Sequence, residues 1–153
     1  MGHHRNLAAR RMVLLAPFVM ALTLTGCVGN TSGQLTLTRD QAQAATYYVQ
    51  RHDRDTRDLA STIAKRMQVR GLVATSGAVA SRPADVDYLV TYVDKWMWDM
   101  RMYLFDLRID VRDARDESIV GFGESMQSSL KAMGKTHEDI VDQALNRLFP
   151  SDQ

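Results

Sequence analysis

Side chains able to do chemistry gather at only a few places in this sequence. Asp53 and Asp55 lie two residues apart with His52 beside them, which is raw material for a metal site. Arg54 and Arg57 interrupt that run, and no second histidine or cysteine cluster adds ligands. Alternating charge of this kind reads as a solvated helix start. Ser125 lies in Gly123-Glu124-Ser125-Met126-Gln127, which lacks the second glycine of a nucleophile elbow. Gly121-Phe122-Gly123 is too short for a dinucleotide fingerprint and opens no helix. Beyond residue 26 the only histidines are His52 and His137, and His137 falls at the start of a helix, a surface position. A carboxylate pair serving as acid and base is the one enzymatic arrangement left open. The expectation is a non-enzyme with no metal and no cofactor.

Apolar chemistry is better organised. Tyr88, Tyr92, Trp96 and Trp98 share parity along one strand, so a regular strand turns all four rings to one side. On an open sheet face such a stripe is a binding surface for a partner chain, a glycan or an acyl chain. Under helices it is core. Met97, Met100 and Met102 lie close by and suit either setting.

Cys27 is the single cysteine, so no disulfide staples the chain. Ahead of it, Arg5, Arg10 and Arg11 form a positive segment without acids, followed by the apolar run Met12–Leu24. The run matches a secretory h-region and falls short of the roughly 20 apolar residues that span a bilayer. Pro17 also argues against a permanent helix there. The run ends in Leu24-Thr25-Gly26-Cys27, which resembles the lipobox of bacterial lipoproteins. The resemblance implies cleavage before Cys27, a diacylglycerol thioether on its sulfur and, often, a further acyl chain on its amine. One acyl chain binds a bilayer marginally, whereas two or three hold stably. Val28 stands where, in the lipoproteins this resembles, an aspartate retains the protein at the inner membrane. The resemblance therefore implies the outer membrane.

Residues 1–26 carry three arginines and no acid, so without them the formal charge falls from +1 to −2 over 127 residues. That balance gives no electrostatic footprint for nucleic acid. The length fits one domain with a real core. Residues 27–44 are small and polar and read as a lipidated tether, although Leu35 and Leu37 alternate with threonines and could add a short strand. The domain proper is expected over residues 45–150.

Within it, ATYYVQ at 45–50 is strand-like. Leu59, Ile63 and Met67 recur at helical spacing, with Asp53 or Asp55 as cap and Gly71 as the left-handed C-terminal residue. Residues 72–76 and 87–98 read as strands. In the next, Tyr103, Phe105, Leu107, Ile109 and Val111 are set against Asp106, Arg108, Asp110 and Arg112, a half-buried antiparallel pattern. Residues 118–127 return as a strand whose Gly121 and Gly123 suggest a bulge or close backbone approach. Thr136 and Asp139 form a capping box for a last helix ended by Pro150.

The order β-α-β-β-β-β-α predicts an α+β two-layer sandwich, a mostly antiparallel sheet of four to five strands with two helices on one face. That order is similar to small envelope lipoproteins such as LptE and the auxiliary lipoproteins of lipid-transport systems. The expected role is a non-enzymatic accessory or scaffold protein of the cell envelope, bound to a membrane through Cys27 and to an envelope protein partner. The alternative is a periplasmic carrier of lipid or a small ligand.

Overall fold

The computed structural model describes residues 30–128 and 134–150; the expected leader and lipobox, with Cys27, lie outside the described residues. The elements run β1 (Thr31–Leu35), α1 (Arg39–Ala44), β2 (Thr46–Arg51), α2 (Leu59–Val69), β3 (Val73–Ala78), β4 (Tyr88–Asp99), β5 (Arg101–Asp113), β6 (Ile119–Met126) and α3 (His137–Leu148). The class is α+β. The single sheet has the order β1-β6-β5-β4-β2-β3.

The long β4–β5 hairpin and β6 form an antiparallel meander that β1 extends. β2 joins β4 and β3 in parallel, so β2-α2-β3 is a crossover unit and the sheet is mixed. Leu59, Ile63 and Met67 of α2 are all buried at the expected spacing. Truncating such a side chain costs about 2–5 kcal/mol. At the end of α2, Gly71 has φ 80°. Its amide donates to the Gln68 carbonyl and that of Leu72 to Met67, a Schellman ending that a side chain with a Cβ would strain.

Two expectations need correction. Residues 31–44 are not tether: Thr31–Leu35 adds an edge strand to β6 and Arg39–Ala44 forms a short helix behind a Thr38–Gln41 capping box. An edge strand pairs along one side only, so it needs no apolar alternation to form. The facing along β5 also changes partway. A register shift opposite Lys95/Trp96 leaves Phe105 unpaired. Leu107, Ile109 and Val111 face the helices as expected, whereas Leu104, not Tyr103 or Phe105, joins the core below the shift. An extra residue in one strand turns every side chain beyond it to the other face.

Both longer helices lie on one face of the sheet. α3 starts at the predicted capping box, in which Thr136 N–H donates to Asp139 and Asp139 N–H to Thr136 Oγ1, at 2.8 and 3.2 Å. It sits on the glycines of β6. A Cβ on Gly123 would strike the Ala144 carbonyl, and one on Gly121 would come within 2.5 Å of Leu35 Cδ1. Asp142 of α3 then ties the helices together, accepting from Arg66 Nε at 2.8 Å and Arg70 Nη1 at 2.7 Å.

Candidate functional site

The aromatic stripe of β4 divides along its length. Tyr92 is buried at 6% exposure within the core, and Tyr88 and Trp96 pack against that core. Tyr88 lies beside Tyr47, with ring centroids 5.6 Å apart. A docking face through Tyr92 is therefore corrected: its ring is buried in the core, beside His52 and with its hydroxyl on Asp55 of the loop before α2. Trp98 alone of the four is exposed, because β4 and β5 continue past the last pairing with β6, Asp106↔Met126. One parity rule thus gives core rings where helices cover the strand and a surface ring where they do not.

The loop before α2 meets this strand in a polar cluster. Asp55, not Asp53 or Asp58, caps the helix. Its carboxylate accepts from the amides of Arg57, Leu59 and Ala60 at 3.1, 3.0 and 2.9 Å and from the Tyr92 hydroxyl at 2.7 Å. Burial pushes the Asp55 carboxyl upward, but the bonds from Ala60, Leu59, Tyr92 and Arg57 outweigh it and hold the group below the usual carboxylate range. Burial, then the bond to Asp55, pushes the Tyr92 hydroxyl up. His52 Nε2 lies 3.0 Å from Asp94 Oδ1, and Trp96 Nε1 donates to Asp94 Oδ2 at 2.5 Å. The Arg57 guanidinium covers the Trp96 ring at 4.4 Å. The charge run is thus a capping and positioning device rather than a solvated face alone. Asp55→Ala is expected to cost about 2 kcal/mol at neutral pH, since three amides and a phenol lose one charged acceptor. A carboxyl held low in the fold contributes stability above its unfolded pKa and loses it as pH falls through the folded value. The gap in melting temperature between wild type and variant should therefore narrow below about pH 4.

Ser125 is buried, donating to Gln143 Oε1 at 3.2 Å and accepting from Gln127 Nε2 at 2.8 Å. These bonds specify the α3–β6 seam. Among the described residues no three His, Cys, Asp or Glu side chains converge as metal ligands, and no helix is long and apolar enough to cross a membrane.

The far face of the sheet carries the charged ladder. Lys95 donates to Asp106 at 2.8 Å, Arg108 to Asp110 at 2.9 Å and Arg112 to Thr91 at 3.2 Å. The Arg108 guanidinium lies 4.4 Å over the Phe122 ring. Val93, at 58% exposure, and exposed Met97 stand on the same face. At the opposite end of the sheet from the hairpin tip is an open cleft of about 670 Å³ between β1, α1, α2 and α3. Leu37, Leu72 and Phe149 help to line it, together with Arg39, Arg66, Arg70 and Arg147. Residue spacing carries no signal for this cleft, because its arginines come from separate helices that only the fold brings together.

No family model matches the sequence. No curated protein matches it either. In fold the chain is similar to PelC of Paraburkholderia phytofirmans, a dodecamer. One PelC crystal form has 13% identity and a TM-score of 0.59, covering 80% of this chain and 99% of that one. A single-site variant of PelC gives 12% and 0.58, covering 82% and 100%. A minor lipoprotein of Acinetobacter baumannii has 10% identity and a TM-score of 0.31, covering 65% and 85%.

Proposed function

We propose that this chain is a lipoprotein of the bacterial cell envelope, held on a membrane by lipid on Cys27, whose α+β domain serves as a non-enzymatic accessory or scaffold protein. The observation that carries the reading is the far sheet face, where Val93 and Met97 stand exposed beside ion pairs and no helix of the described chain covers them. A two-layer fold buries one sheet face and offers the other. Tethering raises the concentration of that face near envelope partners, so a modest contact suffices. The resemblance in fold to a dodecamer supports a scaffold built from copies of one chain, which would be one such partner. Val28 after the cysteine favours the outer membrane, with the domain facing the periplasm.

A photo-crosslinking residue at Val93, in the lipidated chain in a bacterial envelope, tests the reading. A discrete protein adduct, to a second copy or to another envelope protein, is expected. A folded, anchored chain that yields none would overturn the accessory role.

The second reading, a carrier of lipid or a small ligand, is favoured by the arginine-rimmed cleft, whose apolar lining and positive rim suit an anionic amphiphile. Native mass spectrometry of the purified protein separates the two, since a carrier retains an adduct of lipid mass.

A further inference from the structure

The described chain begins at Asn30, toward the end of the sheet where Met97, Trp98, Met100 and Met102 stand exposed on a hairpin tip. The Asn30 carbonyl accepts from the Met126 amide at 2.8 Å, and Met126 is opposite Asp106 of β5. β1 runs antiparallel to β6 and β6 antiparallel to β5, so β1 is parallel to β5. The N-terminal end of β1 therefore points toward the β4–β5 tip. Cys27 is three residues away, a reach of at most about 11 Å. Arg101 is five residues beyond the level of Asp106, about 16 Å along the strand. Even a fully extended link of that length would stop about 5 Å short of the tip along the strand axis.

The tip's composition suits that depth. Trp98 is 66% exposed, Met100 85%, and Met97 and Met102 are exposed beside them. Met100 turns the hairpin at φ 57°, a left-handed conformation that costs a residue with a Cβ about 1–2 kcal/mol. Glycine or asparagine would fill that turn with less strain, so an apolar chain there is retained at a cost to the fold. Asp99 and Arg101 flank Met100, and such charges confine a tip to the headgroup boundary. Tryptophan prefers that same boundary.

We propose that the β4–β5 tip is a membrane-contact element. Trp98, Met100 and Met102 enter the interface of the bilayer that holds the Cys27 lipid, fixing the domain's orientation on it. Apolar groups at that boundary sink about 5–10 Å, and a tip that extends beyond the lipid's attachment point can enter to that depth. The inference rests on the anchored reading above. Two attachment points, lipid and hairpin, would set which way the far sheet face and the cleft look.

The test is tryptophan quenching in full-length, lipidated protein reconstituted into phosphatidylcholine–phosphatidylglycerol vesicles brominated on the upper acyl carbons. Emission should fall in brominated vesicles relative to unbrominated ones, and Trp98→Phe, which keeps Trp96, should lose most of that quenching. Protein that floats with the vesicles but shows equal emission in both would overturn the inference alone. A blue-shifted, unquenched Trp98 would also overturn it, because a protein contact would then cover the tip. Protein that fails to float would overturn the anchored reading and the inference together.

Discussion

Gly123→Val abolishes the folded domain. The Gly123 position faces the Ala144 carbonyl of α3 so closely that even a Cβ collides with it, and Leu148 Cγ lies 3.2 Å from the same point. A branched side chain must push α3 off β6. Ile140, Val141, Ala144, Leu145 and Leu148 then lose their contacts, and all are buried. Overpacking alone costs about 1–3 kcal/mol where a neighbour yields, and more where that neighbour is helix backbone. Losing the helix seat brings the total to at least about 4 kcal/mol, a large part of a typical domain's stability. Gly134→Ala is the control: among the described residues nothing lies within 4 Å of a Cβ there, so its effect should stay within about 0.5 kcal/mol. Chemical denaturation of the two variants checks this. A Gly123→Val protein as stable as wild type would mean that α3 does not rest on the bare backbone of β6.

Cys27→Ser, exported behind an ordinary cleavable secretory signal, releases the chain from the membrane. The signal matters, because a retained leader could itself hold an unprocessed chain on the bilayer. Each buried acyl CH₂ contributes about 0.8 kcal/mol, so losing two or three chains shifts partitioning by many orders of magnitude. The hairpin tip, with a handful of apolar side chains and two flanking charges, offers far less and should leave only weak, reversible association. Carbonate-washed membranes and the released fraction are compared by immunoblot. Wild type should stay with the membrane and the serine chain should leave it. A serine chain that remains fully membrane-bound would show that something other than lipid holds the protein.

What could be read ahead of the structure follows from which patterns depend on near neighbours. Leu59, Ile63, Met67 and Gly71 define α2 locally, and Thr136–Asp139 defines the start of α3, so both were legible. Leu107, Ile109 and Val111 were legible because one face of β5 lies continuously under helices. Elsewhere distant contacts decide. β1 is polar because it is an edge, and nothing in Thr31–Leu35 marks Gly121–Ser125 as its partner. The unpaired Phe105 reverses facing without any turn residue to announce it. Tyr92 and Trp98 obey one parity rule and meet different fates, because only the fold says where the covering layer stops. Asp55 is chosen over its acidic neighbours because Tyr92, 37 residues later, donates to it. The cleft arginines and the direction in which the N-terminal end of β1 points likewise depend on strand order, which periodicity does not carry.

Both the proposed accessory role and the proposed membrane contact of the hairpin depend on lipid at Cys27. The most direct measurement is the intact mass of the mature protein extracted from bacterial membranes, with fragmentation of its N-terminal peptide. The expected result is a chain that begins at Cys27 and carries a diacylglycerol thioether on the sulfur, with or without a further acyl group on the amine. A mature chain that begins elsewhere, or that carries Cys27 as a free thiol, would contradict it.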